Sequence, residues 1–448
     1  MSDEFRHFEN LKTSQISGWG RQFVEAQELV PERLEGMPPV LFRGLGRSYG
    51  DSSLPPASHP QVIRTTRANR ILHFDDTTGL LRAEAGLSLL DLNRTFLPRG
   101  WFPPVTPGTQ FVTLGGMVAA DVHGKNHHVD GCFGQHVTRL KMCVADGRVL
   151  EVGPDLQREL FLATVGGMGL TGQILEVEFV MKRIPSPWLR QESERIPDID
   201  TFLLRLKEAA STWPMTVGWI DCLSTGANLG RGILLRSRWA QPDEAPVRFP
   251  HELPELRVPF MAPEFVLGPA SVQAFNFGFY WKHLQKKKRG IVDPWASFYP
   301  LDFVKNWNLG YGKRGLTQYQ CVLPNHAGSD VARRFLEVLT RKGGASFLAV
   351  IKDCGPEGAG ILSFPMSGFS VALDIAVRDD TQQLIDALIE FVLAEGGRIY
   401  LAKDALTRPE HFAAMEKRLP RFQAIRQKWD PEFRFRSAQS VRLFGDPT

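Results

Sequence analysis

A chain of 448 residues with 43% hydrophobic and 23% charged content is long enough for two or three cores and has the composition of an ordinary globular protein. Its formal charge of +4 is too small for a dedicated nucleic-acid binder, which concentrates basic residues on one face. The charged N-terminus lacks the apolar core of a secretion signal, no apolar run is long enough to span a bilayer, and the five scattered cysteines lack C-x-x-C spacing, so a metal-free protein of the reducing cytoplasm is expected.

Taken in chain order, residues 38–183 alternate short β-like runs with glycine turns. The runs are Val40-Leu-Phe42, Leu80-Leu-Arg-Ala-Glu-Ala85, Arg148-Val-Leu-Glu-Val152 and Gly172-Gln-Ile-Leu-Glu-Val-Glu-Phe-Val-Met181. Ile184-Pro-Ser-Pro-Trp188 reads as a linker. Beyond it, Asp200 is expected to cap a helix carrying Phe202, Leu203, Leu206 and Ala210 on one face. Gly218–Cys222 and Gly232–Arg236 read as strands. Ser329 or Asp330 opens a second helix running through Leu339 to Gly343-Gly344. Phe369–Ala376 alternates as a strand. Asp380 or Thr381 opens a third helix with Leu384, Ile385, Leu388 and Phe391 inward, closed at Gly396-Gly397. Helices on one face of an antiparallel sheet make the second half α+β. Residues 243–297 stand apart as a long insertion or mobile lid. They hold many prolines, the aromatic run Phe275, Phe277, Phe279, Tyr280 and Trp281, and then Lys286-Lys-Lys-Arg289.

Three glycine clusters carry the chemistry. The first is Arg43-Gly-Leu-Gly-Arg-Ser-Tyr-Gly-Asp51. The second, Pro107 to His128, packs four glycines, three histidines and a lysine into a stretch with little room for large apolar side chains. Glycine permits unusual dihedrals and close approach, and exposed N–H groups beside a lysine suit a phosphorylated cofactor. The third, Val165-Gly-Gly-Met-Gly-Leu-Thr-Gly172, contains G-x-G-x-x-G at Gly167, Gly169 and Gly172. It runs into a β-like segment instead of opening a helix, so a Rossmann reading is rejected.

In this order the clusters resemble the FAD-binding domain of the vanillyl-alcohol oxidase (PCMH-type) flavoproteins. More closely, Arg43–Asp51, Asp121-Val-His-Gly-Lys-Asn-His-His128 and Ala163–Gly172 resemble the decaprenylphosphoryl-β-D-ribose 2′-oxidase family. The similarity continues through Phe298-Tyr-Pro-Leu-Asp302, Gly315-Leu-Thr-Gln-Tyr-Gln320, Gly396-Gly-Arg-Ile-Tyr-Leu-Ala-Lys-Asp404 and Trp429-Asp-Pro431, and weakens over about 240–290.

The resemblance implies an α+β architecture: a PCMH-type FAD domain over 1–187, a substrate domain over 188–397 with the insertion 243–297, and a return to the FAD domain over 398–448. It implies cofactor contacts from Arg43, Gly44, Leu45, Gly46, Arg47, Ser48, Tyr49, Gly50 and Asp51. Further contacts would come from Thr109, Gly115, Gly116, Ala120, His123, Gly124, Asn126, His127, Gly167, Gly169, Gly172 and Ile174. Many relatives carry a flavin-bonding histidine in the first cluster. Arg47 stands there here, so FAD is expected to be non-covalent.

The implied pocket contains Tyr49, His123, Lys125, Tyr311, Gln318, Gln320, Lys352 and Lys403. Lys403, Tyr49 and His123 are the catalytic candidates, and the other five are candidates for binding substrate. Lys403 reads as a base for the reacting hydroxyl, or as a cation that binds substrate phosphate or stabilises reduced flavin. His123 reads as a hydrogen-bonding neighbour of the flavin or as a substrate contact. Gln318 and Gln320, two apart on a strand, share one face. Ala372 stands where mycobacterial members have a pocket cysteine.

The resemblance implies FAD-dependent oxidation of the 2′-hydroxyl of a lipid-linked ribose phosphate, first half of an epimerisation. An NAD(P)H-dependent keto-reductase would act next, a quinone would accept electrons, and contact with the inner face of the membrane would be peripheral, with no nucleic acid involved. The aromatic and basic stretch reads either as an exposed loop with a solvated charge run or as a lid touching the bilayer. Two rivals remain: an FAD-dependent oxidase of a soluble sugar, alditol or aldonolactone, and a flavin-binding scaffold without turnover.

Overall fold

The structure is a computed structural model that describes residues 3–263, 267–328 and 330–448. Its first part holds two main sheets and a short pair, Trp101–Phe102 with Lys182–Arg183. One orders Ser14–Ser17, Phe23–Leu29, Gln61–Arg64 and Leu41–Arg43; the other is antiparallel and orders Ile71–Phe74, Leu80–Glu84, Gln173–Val180, Val137–Cys143 and Val149–Val152. The third glycine cluster does run directly into the strand Gln173–Val180, which pairs with both Leu80–Glu84 and Val137–Cys143. Leu81, Val177, Leu140 and Phe179 fill a core with Phe96, Phe133 and Phe161.

The second part is an eight-stranded antiparallel sheet. Its order is Lys287–Val292, Leu189–Ile196, Gly232–Trp239, Met215–Ile220, Ala349–Cys354, Gly368–Ala376, Leu316–Pro324 and Arg398–Ile399. Three helices, Ile199–Ala210, Val331–Arg341 and Thr381–Ala394, cover one face. Strand alternation assigns the two faces. Tyr319, Cys321, Leu323, Ile351, Val371 and Leu373 pack under Phe202, Leu206, Phe335, Leu339 and Leu388. The residues between them, Gln318, Gln320, Lys352, Ser370, Ala372 and Asp374, point away from the helices. Leu316–Pro324 is buried along its whole length because both faces are covered.

Two expectations are corrected. Asp198, not Asp200, caps the first helix, because its carboxylate accepts from the Thr201 N–H at 2.8 Å while Asp200 lies inside the first turn. The stretch expected as an insertion or loop contains the helix Pro269–Trp281 and the edge strand Lys287–Val292. Lys287 and Arg289 there pair with the buried Glu194 and Glu192. Of the second helix's two proposed caps, Ser329 lies outside the described residues, and Asp330 occupies the cap position without a side-chain hydrogen bond.

The C-terminal stretch leaves the sheet at Arg398–Ile399 and packs back on the first part. Helix Leu419–Trp429 sends the buried Arg426 to the carbonyl of Leu170 at 3.1 Å, and helix Ala438–Phe444 sends Arg442 to Asp51 at 2.7 Å.

Candidate active site

The uncovered sheet face meets the first two glycine clusters, and the polar residues collect there. Gln318 donates to Asp374, its partner across the strand pair. Gln320 lies 3.0 Å from His123 Nε2 and 3.1 Å from Ser370 Oγ. Tyr49 enters from the first cluster, held by its N–H on the Ala402 carbonyl at 3.0 Å, and its ring lies 4.1 Å from Lys403 Nζ. Tyr311 stacks on Phe347 and packs with Tyr49 and Leu316, its hydroxyl beside Asp374. Lys125 donates to the Ser297 carbonyl. Lys352 sits within electrostatic reach of His123, His127, Lys125 and Lys403. All eight pocket residues expected from the sequence therefore converge.

Electrostatics follow from burial with few counter-charges. Desolvation pushes Lys403 below its ordinary 10.5, with Asp374 opposing and Lys352 assisting the fall. Desolvation raises Asp374, against its bond from Gln318 and the charge of Lys403. Lys125 is pushed down to about 7 by burial and by Lys352. His123 falls well below its usual range for the same reasons, so it is neutral. Three lysines and one pocket carboxylate define a cationic, desolvated cleft that suits an anionic group beside a sugar.

The cofactor residues divide into two groups. Among the described residues, the backbone N–H groups of 44 to 48 meet no protein acceptor. The buried Arg47 Nε, His123 Nδ1 and His127 Nε2 also lack a partner. Buried side-chain donors of this kind require an acceptor, and the phosphates and polar ring edge of FAD would supply acceptors to them and to the half-buried N–H groups. The Arg47 guanidinium stacks on Trp19 at 4.1 Å and on Phe111 at 5.0 Å, with Asp302 nearby.

Other expected contacts are spent on the protein. Gly115 N–H donates to the Ala85 carbonyl, and Gly116 N–H to Thr113 Oγ1. Arg43 binds the carbonyls of Ser17 and Ser53, and Asp51 binds Arg442. Asn126 gives its amide to Pro104 and Asp130. His127 Nδ1 accepts from the Gly355 N–H. Thr109 Oγ1 accepts from the Phe111 N–H, and the Ala120 carbonyl takes the Tyr400 hydroxyl. Ile174 lies in the core.

The glycines are required mainly by close protein packing. A Cβ on Gly44 would lie 2.3 Å from Thr113 Oγ1, one on Gly124 2.6 Å from Asn126, and one on Gly167 2.0 Å from the Ala163 carbonyl. Gly46, Gly169 and Gly172 have positive φ, and a Cβ on Gly169 would meet nothing.

Sequence reasoning missed Asp374, Ser370 and Arg442. The signal for the first two was present: polar residues at alternate positions of an otherwise apolar strand. Arg442 had none, since its partners Asp51 and Asp404 are far away in the chain.

The sequence matches known proteins. Residues 34–153 match the family model of an FAD binding domain. Fold and site thus define an FAD-dependent oxidoreductase acting on CH–OH groups. The chain is 34% identical over 457 aligned positions to decaprenylphosphoryl-beta-D-ribose oxidase of Mycolicibacterium smegmatis, covering 96% of this chain and 97% of that protein. This chain belongs to the decaprenylphosphoryl-β-D-ribose oxidase family. It is also 33% identical to an uncharacterized protein in the mprA 5′ region of Streptomyces coelicolor, over 80% of this chain and all of that protein. A putative D-arabinono-1,4-lactone oxidase of Neurospora crassa is 27% identical over 33% of this chain and 25% of its own length.

Proposed function

We propose that this protein oxidises the 2′-hydroxyl of a polyprenylphosphoryl-β-D-ribose to the 2-keto sugar, the first half of an epimerisation to the arabinose form. The observation that carries this reading is likeness to the mycolicibacterial oxidase along nearly the whole chain. The lactone oxidase, in contrast, is matched over a third of the chain. The rival reading, oxidation of a soluble sugar, alditol or aldonolactone, has behind it likenesses to lactone oxidases that each cover a third of the chain or less. An NAD(P)H-dependent keto-reductase consumes the product, and a quinone takes the electrons.

The residues present fit FAD: the N–H groups of 44 to 48 and Arg47 would hold its phosphates, and His123 and His127 would meet its polar ring edge. When bound, FAD supplies the two-electron acceptor for the hydride that leaves the carbinol carbon. Lys403, partly neutral because it is desolvated, accepts the proton that leaves the hydroxyl oxygen. The Tyr49 ring, 4.1 Å from its Nζ, and the nearby charge of Asp374 hold that side chain in place, and Gln318 and Gln320 orient sugar hydroxyls. Lys125 and Lys352 hold the phosphate. Retention is non-covalent because Arg47 offers no nucleophile; acid precipitation should release all flavin into the supernatant.

Turnover with a quinone analogue tests the substrate. Prenylphosphoryl-ribose should saturate the enzyme while ribose, alditols and aldonolactones do not. Saturation by a soluble polyol, with indifference to the prenyl chain, would replace this reading by its rival.

A further inference from the structure

Among the described residues, most of the large apolar side chains left exposed lie between Val247 and Leu284. Phe277 is 56%, Trp281 43% and Leu284 85% exposed, on the helix Pro269–Trp281 and the turn after it. An exposed cluster of this kind marks an interaction surface. The opposite side of the helix is engaged. Phe279 lies 4.6 Å from Trp219, and Phe275 lies 5.5 Å from Phe347, which stacks in turn on Tyr311 of the pocket. An aromatic path therefore runs from Tyr311 of the active site through Phe347 to Phe275 and Phe279, on the side of this helix opposite the exposed cluster.

Cations surround that cluster. Arg195 lies over Trp281 at 4.4 Å and Arg231 over Phe277 at 5.7 Å. On the edge strand and just before it, Lys286 and Lys288 share the sheet face of Arg195, while Lys287 and Arg289 alternate to the other face and pair with Glu194 and Glu192. Lys282, Lys286 and Lys288 have no carboxylate partner among the described residues. A projecting Trp, Phe and Leu beside unpaired lysines matches an anionic bilayer surface: apolar side chains enter the acyl boundary while lysines meet lipid phosphates.

We infer that Phe277, Trp281 and Leu284, with Lys282, Lys286 and Lys288, form the face by which the protein docks on an anionic membrane, placing the helix that also packs toward the pocket through Phe275 and Phe347 against the bilayer. The purpose rests on the lipid-linked substrate proposed above; the surface itself does not.

The test is sedimentation of the full-length, flavin-loaded protein with vesicles of phosphatidylcholine containing phosphatidylglycerol, and of phosphatidylcholine alone. Binding to the anionic vesicles should weaken with salt. The triple variant Lys282→Glu, Lys286→Glu, Lys288→Glu should bind them on the order of 100-fold more weakly, at about 1 kcal/mol per lysine removed. Phe277→Ser with Trp281→Ser should lose binding too. Both variants should keep their flavin spectrum and their turnover of a water-soluble short-prenyl substrate.

Unchanged vesicle binding by the lysine variant would overturn the inference. So would a parent that ignores vesicles and elutes as a dimer dispersed by Trp281→Ser, which would assign this face to a second copy. Salt-sensitive docking by a protein that oxidises no ribosyl lipid would uphold the surface and remove the substrate reading instead.

Discussion

Lys403 owes its chemistry to position. It is desolvated, stacked on Tyr49, and has one anionic neighbour, Asp374. Replacing it with methionine should leave flavin bound but slow flavin reduction by substrate about 10²–10⁴-fold; near-normal reduction would remove Lys403 from the mechanism. Because its pKa is lowered, the neutral amine gains population as pH rises. Reduction rates should therefore climb with pH through a midpoint below the ordinary 10.5 of lysine. Asp374 raises that midpoint, so Asp374→Asn should move the limb to lower pH, read by rapid-mixing reduction rates across pH. At this scale the sequence was legible where types cluster in a motif, as with Tyr49, His123 and Lys125. Parity on the strand also placed Gln318 and Gln320 correctly on one face. It was poorly legible where a residue's role is internal: Arg43, Asp51 and Asn126 sit in the glycine motifs yet spend their side chains on the protein.

The elements matter through the way two loops meet. The first glycine cluster touches the segment carrying Lys403 so closely that a Cβ on Gly50 would lie 1.8 Å from the Asp404 carbonyl. Arg442 clamps the same pair, reaching Asp51 and Asp404 at 2.7 Å each. Gly50→Ala should push the loops apart, measured as weakened FAD retention on gel filtration together with slower reduction. Normal retention and rate would show that the contact is not needed. Apolar periodicity made the three covering helices readable, because one face of each is buried against the sheet. The edge strand Lys287–Val292 was not readable. Four consecutive cations look solvated until strand alternation brings two of them to Glu192 and Glu194, about a hundred residues earlier in the chain.

On the scale of the whole molecule, the C-terminal stretch ties the parts together. Arg426, 1% exposed, holds Asp446 through two bonds of 2.6 Å and also the carbonyls of Leu170 and Phe435. Arg426→Met should strand a buried carboxylate and cost about 3–5 kcal/mol, read as a lowered denaturant midpoint and faster loss of flavin. An unchanged midpoint would mean that the tail is held by its apolar contacts alone. Among the described residues no helix is long and apolar enough to cross a membrane. In the proposed reaction, a ribosyl phosphate lipid gives a proton to Lys403 and a hydride to bound FAD. Anaerobic mixing of the flavin-loaded protein with a short-chain prenylphosphoryl-β-D-ribofuranose tests it most directly. Rapid bleaching of the oxidised-flavin band with formation of the 2-keto sugar is the predicted result; an unbleached flavin that dithionite still reduces would contradict it.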